Sequence, residues 1–354
     1  MNFGLDLVRK LFRRTPLQGQ VLRAQPESRV SRTLIMPRLS IVVFCFQNTQ
    51  LLEETLVGVL QHRPDDSEVL VVHDGRYEDP YELGDEVQFI EAAGIRSMAE
   101  AANLAMEHST GLVLHFLASG VLVDAQWTDD VLQGFEDADI AAATPLLLEG
   151  KNNTVACLGV KLSSLQNRQL VGFGHDAAER SLSDLQSDGP NLVASFYRRS
   201  QLVSLGGFRE EYGDEYADID AALRLRAVGG EIVAATTCVL KVNRWDKPRK
   251  ASAKLRGRLH QSFLADRRSE IGSLRYHLSA LANSILEVLT SPRSPSRLLT
   301  AWGRLSAWRT GHASDEAVVE TSSPETVLSI DAARRDQATL SDSVSDPSSM
   351  RRAA

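Results

Sequence analysis

The chain has 354 residues, enough for about two domains or one large domain with appendages. Its 43% hydrophobic and 24% charged content suits a soluble globular protein, and a formal charge of −7 argues against a general nucleic-acid binder. Three widely spaced cysteines, Cys45, Cys157 and Cys238, read as reduced core residues of a cytosolic protein. No run reaches the ~18 apolar residues that a membrane span needs.

Residues 1–37 open with Phe3, Leu5, Leu7, Val8, Leu11 and Phe12 interleaved with Arg9, Lys10, Arg13 and Arg14. This basic amphipathic arm suits peripheral contact with an anionic membrane face, or packing on the protein's own core. From Pro37 the texture becomes α/β. The run from Ser40 to Phe46 predicts a buried parallel strand, followed by a helix from about Leu51 to Gln61. Glu68 to Val72 and Val87 to Ile90 predict two more strands. Ser97 to His108 predicts an Ala-rich helix, and Gly111 to Leu117 a fourth strand. This alternation predicts a mostly parallel sheet with helices on both faces, whose ligands bind beyond the C-terminal strand ends. Asn48, Asp74 and the turn Ala118-Ser119-Gly120 fall on that edge.

Residues 139–247 read as a β-richer half, with strands over 140–148, 155–162 and 192–197, a short helix over 199–205 and a closing strand or strand pair over 230–242. After residue 247 the pattern turns helical. Ile271, Leu274, Leu278, Leu281, Ile285 and Val288 form one apolar seam, expected to dock on the preceding domain or to join two copies of the chain. Residues 297–309 predict a basic helix carrying Trp302 and Trp308. From residue 311 the Ser/Asp/Ala-rich tail has no periodicity and is expected to be disordered. The resulting divisions are 1–37, 38–247, 248–310 and 311–354.

The most informative stretch runs from Leu205 to Arg226. Gly206-Gly207-Phe208 and an acidic loop precede Asp218-Ile219-Asp220 and Arg224. Read by itself, this is a glycine-hinged loop delivering two carboxylates to a helix start. Asp218 or Asp220 can cap the free N–H groups, and Asp220 can pair with Arg224 one turn on. A carboxylate held there is also placed to act as a general base.

Taken together, four segments resemble the family 2 glycosyltransferases, enzymes of the GT-A fold that use nucleotide-sugar donors. They are Ser40 to Asn48, Val71-Val72-His73-Asp74-Gly75, Ala101-Ala102-Asn103-Leu104-Ala105, and the Leu205 to Arg226 segment. The resemblance covers roughly residues 38–245 and implies inverting sugar transfer to an acceptor hydroxyl of a glycan, lipid or protein. It assigns Asp218 as the base and Asn48, Asp74 and Asn103 to the donor.

This chain departs from that pattern where a divalent cation would be held. Ala118 and Gly120 stand in place of the usual Asp ligands, and hard cations need oxygen ligands. A His common beyond the last strand is absent, and Ala217 replaces an acid that often precedes the base. Two readings follow. Either transfer proceeds without metal, with Arg198, Lys241 and Arg244 holding the diphosphate, or the fold persists as a catalytically inactive binding or scaffolding module.

Overall fold

The computed structural model describes residues 38–310, except 151–152, 179–181, 183–184, 249–250 and 291–294. The basic arm over 1–37 and the tail from 311 lie outside the described residues. β1 (Leu39–Cys45) is apolar but for Ser40 and wholly buried, as expected of a strand covered on both faces. It pairs in parallel with β2 (Ser67–His73) and with β4 (Val113–Ala118), and β2 pairs in parallel with β3 (Val87–Glu91). Between them lie α1 (Thr49–His62) and α2 (Met98–His108). Their crossovers run in opposite directions across the sheet, so right-handed connections place the two helices on opposite faces.

The sheet has nine strands in the order β3-β2-β1-β4-β10-β6-β11-β5, with β7 (Thr154–Cys157) also paired to β6 (Ile140–Glu149). β10 (Ala194–Arg198) is antiparallel to both its neighbours, and β11 (Glu231–Val242) runs parallel to β6. The predicted strand over 155–162 is broken into β7 and β8 (Val160–Leu162) because Gly159 turns the chain at φ +96. β8 then forms a separate hairpin with β9 (Arg168–Leu170). β5 (Val121–Leu122) follows β4 after two residues yet pairs with β11 at the far end of the order. The sheet therefore curls, and the end of β11 returns to the C-terminal edge of β4. The three cysteines are buried and unpaired.

α3 (Asp129–Gly134) and α4 (Arg199–Ser204) are short connections, whereas α5 (Gly213–Ala227) organises the second half. A 3₁₀ turn over Glu210–Tyr212 runs straight into α5, so Asp214 and Glu215 occupy its first turn. Asp218 and Asp220 therefore lie inside the helix and not at its start. The predicted Asp220–Arg224 pair does form, at 2.7 Å. Asp214 instead caps the neighbouring helix, accepting from the N–H groups of Met98 and Ala99 at α2.

The C-terminal helices are α6 (Ala253–Asp266), α7 (Arg268–Ile271), α8 (Ser273–Thr290) and α9 (Pro295–Thr310). They dock on α5 through aromatic packing. Phe263 stacks on Tyr216 at 4.7 Å and meets Tyr212 edge-on, while the Tyr212 hydroxyl donates to Asp266. α6 and α9 approach so closely that a Cβ at Gly257 or Gly303 would lie 2.0 Å from the facing backbone.

The seam predicted to mediate that docking faces the other way. Tyr276, Ala280, Asn283 and Ser284 are buried, whereas Leu274, Leu278, Leu281 and Ile285 are exposed, Leu274 by 74%. Polar contacts explain the rotation. Asn283 exchanges hydrogen bonds with Asn167 and the Leu165 carbonyl of the β8–β9 turn, and Gln261 donates to the Tyr276 hydroxyl.

Burial pushes the Asp214 carboxyl up to about 7, with the Met98 and Ala99 N–H groups pulling the other way and Asp218 and Glu215 adding to the rise. The native state thus keeps a proton that the unfolded chain releases near pH 4. Stability from this group is complete below about pH 4 and falls as the pH approaches about 7. Denaturant unfolding across this range should show that decline, and Asp214→Asn should flatten it.

Candidate functional site

In an open sheet of this kind the ligand crevice lies beyond the strand ends where the order reverses, here between β1 and β4. Three successive N–H groups, those of Phe46, Gln47 and Asn48, point into it at the start of α1. They form the sort of cradle that holds phosphate or carboxylate. This cradle is filled by the chain itself. One oxygen of Asp246 accepts from Phe46, Gln47 and Asn48 at 2.6, 2.8 and 3.2 Å. Asp246 is 5% exposed, and its own N–H donates to the Ser119 carbonyl at 2.7 Å.

The β4 side is closed in the same way. Ser119 donates from its hydroxyl to the Phe44 carbonyl, and Gly120 donates to the Thr55 hydroxyl. Gly120 sits at φ +98 under residues 244–245, where a Cβ would lie 2.2 Å from the Arg244 carbonyl oxygen. Position 120 therefore lacks a carboxylate and, with this strap in place, also the room for one. Ala118 is fully buried. These residues do not fit a divalent cation. Among the described residues no cluster of three His, Cys, Asp or Glu side chains can hold one.

Burial, together with Asp246 and Asp74, pushes the Cys45 thiol up to about 12. Asp74 lies at the end of β2 as expected. It forms a turn with the Arg76 N–H and pairs with the Arg76 guanidinium at 3.2 Å. His73 beside it is held towards its neutral form by burial, against the influence of Glu91 and Asp74. The Arg244 side chain is exposed, and Lys241 pairs with Asp124 at 2.6 Å.

The remaining expected donor contacts are placed differently. The Asn48 side chain caps α1, accepting from the Leu51 N–H at 3.1 Å. Asn103 is a bracket between α2 and the glycine hinge: it accepts from the Phe208 N–H and donates to the Phe208 carbonyl and to Glu210, each at 2.8 Å. A Cβ at Gly207 would lie 2.4 Å from its oxygen, which accounts for the glycine there. Arg198 lies at the opposite edge of the sheet, opposite Val113 at the start of β4. It donates to the carbonyls of Phe135, Asp137 and Ile140, so it reaches no ligand in the β1–β4 crevice.

Asp218 is 1% exposed and meets Arg168 of β9 in a two-pronged pair at 2.9 and 2.5 Å. One of its oxygens also accepts from the Ile219 N–H. Burial works against the Arg168 charge, yet the facing carboxylate outweighs it and holds the guanidinium above its ordinary range. Such a pair is a structural clamp between α5 and the β8–β9 hairpin. His115, central in β4, is a core residue. Its Nδ1 contacts the Ser195 carbonyl and its Nε2 accepts from Trp127, while burial lowers it to about 3.

Sequence reasoning did not single out Arg168, Asp246 or Thr55. Asp246 stands one residue beyond Trp245, past the last strand, and nothing in its spacing ties it to residues 46–48.

No protein-family description matches this sequence, and no curated protein does. Solved structures do. One is a mannosyltransferase from Pyrobaculum calidifontis solved with GDP-Man and Mn²⁺: 17% identity, 85% of this chain and 81% of that one, TM-score 0.45. Another is GalNAc-T7, solved with UDP, GalNAc and Mn²⁺: 14% identity, 69% of this chain and 52% of that one, TM-score 0.50. The chain thus spans about half the length of the latter. At such identity the likeness speaks of the fold alone, a mixed α/β GT-A glycosyltransferase fold with a curled, mostly parallel sheet.

Asp246→Ala leaves three N–H groups without their acceptor and should cost about 2–3 kcal/mol in chemical denaturation. Arg168→Met, which strands a buried carboxylate, should cost about 3–5 kcal/mol, most of it recovered in the double variant with Asp218→Leu.

Proposed function

We propose that this chain is a glycosyltransferase-like binding or assembly protein that uses the GT-A frame without transferring sugar. The observation that carries this reading is the carboxylate of Asp246 on the N–H groups of Phe46, Gln47 and Asn48. A donor diphosphate would have to displace a covalently tethered anion from that cradle. The steric block at Gly120 supports the same conclusion, because it removes the room for a metal ligand. So does the Arg168 clamp, since a base must accept a proton and both oxygens of Asp218 are already engaged.

A second reading is favoured by Arg244 and Asp74. An exposed guanidinium on the strap whose backbone covers Gly120, and a carboxylate at the end of β2, are groups a nucleotide sugar would meet if residues 243–247 lifted away. In that reading the chain is a family 2 type, inverting, metal-independent transferase with a degenerate Asp-x-Asp site. Arg168 would release Asp218 to deprotonate the acceptor hydroxyl, and Lys241 and Arg244 would offset the leaving charge. The two solved neighbours carry GDP-Man and UDP as their own ligands.

One comparison separates the readings. Purified protein and the Asp246→Ala variant are incubated with UDP- and GDP-sugars, with Mn²⁺ or with chelator, and nucleotide release is followed. The binding-protein reading expects no release above buffer from either protein. Turnover by either one that is abolished in Asp218→Asn would establish the transferase instead.

A further inference from the structure

The apolar stripe that α8 turns away from the core is continuous with a second stripe on α9. On α8, Leu274, Leu278, Leu281 and Ile285 recur at helical spacing on one face and are all exposed. On α9, Leu298, Trp302 and Leu305 do the same, and Trp302 is 63% exposed. The stripes meet where Leu281 of α8 and Leu305 and Trp308 of α9 line one shallow cleft. Scattered exposed leucines are ordinary, but a contiguous face with two tryptophans marks an interaction surface.

Charge identifies what covers it. Among the described side chains of α8 and α9 the exposed charges are Arg275 and Arg297, beside the stripes, and none is acidic, in a chain whose formal charge is −7. A symmetric contact with a second copy would set this basic surface against itself. The chain's first 37 residues, also basic, are mismatched for the same reason. An anionic bilayer complements both the charge and the apolar stripe. Tryptophan and leucine enter the headgroup boundary while arginines pair with lipid phosphates, each basic residue near the surface adding about 1 kcal/mol. No helix among the described residues is long and apolar enough to cross a membrane, so the pair would lie on the surface.

We propose that the exposed face of α8 and α9 is a docking surface for an anionic lipid bilayer, which carries the GT-A domain against the membrane. This goes beyond the proposed function and holds for either reading of it.

The test is flotation of the full chain with vesicles of one part phosphatidylserine to two parts phosphatidylcholine, and with phosphatidylcholine alone. The protein should float with the mixed vesicles, bind pure phosphatidylcholine weakly, and lose binding as salt is raised. Leu278→Ser combined with Trp302→Ser, both surface positions, should weaken partition about tenfold or more while leaving the thermal midpoint unchanged. Failure of the wild type to float would overturn the proposal. So would binding that the double variant leaves intact, which would move the contact to another part of the chain. A concentration-dependent dimer lost in the same variant, without vesicle binding, would make the face a self-interface.

Discussion

The contact between the Asp246 carboxylate and the N–H groups after β1 determines how the rest of this molecule is read. An exposed N–H cradle at a helix start attracts any anion, and here the anion is supplied from 198 to 200 residues away along the chain. Because it is tethered, its effective concentration is far above that of any free ligand. The same strap lays the Arg244 carbonyl over Gly120 and joins Ser119 through the Asp246 N–H. One short segment thus closes both halves of the crevice that the strand order creates. The curl of the sheet brings it there, since β5 takes the chain from β4 directly to the end of β11.

The clamp between Asp218 and Arg168 follows the same logic on the other side of the molecule. A lone buried carboxylate would be expensive, and the two-pronged guanidinium with one backbone N–H satisfies it. The clamp ties α5 to the β8–β9 hairpin, and the hairpin's turn is gripped in turn by Asn283 and His260 of the C-terminal helices. Groups with the right chemistry for a reaction are here joined to one another, and the molecule gains a rigid link between its sheet and its helical appendage.

Much of the fold was legible in the sequence because it rests on patterns of short range. Apolar β-branched runs, their spacing and the intervening helices locate β1 to β4 correctly, and the Asp220–Arg224 pair follows from helical period alone. What sequence did not reveal depends on contacts across long separations. Asp246 meets residues 46–48, Arg168 meets Asp218, and Asn103 meets Phe208; none of these pairings leaves a local signature. Arg198 illustrates the limit most simply. Its residue type suits phosphate, but β10 runs antiparallel to β4, and that reversal carries its side chain to the far edge. The α8 seam was recognised as apolar, yet hydrophobic spacing cannot say which face a helix turns inward when polar partners such as Asn167 hold the other.

The positive φ of Gly120 has a bearing on how such a molecule can change. Placing an acid at this position is hindered twice, by the left-handed backbone and by the carbonyl that a side chain would meet. A mutant that gained only the carboxylate would lose stability and gain no ion, whereas one that lifted only the strap would free the cradle and still lack a metal ligand. Neither single step is rewarded, so acquiring a metal-bearing site here takes at least two substitutions that arrive together.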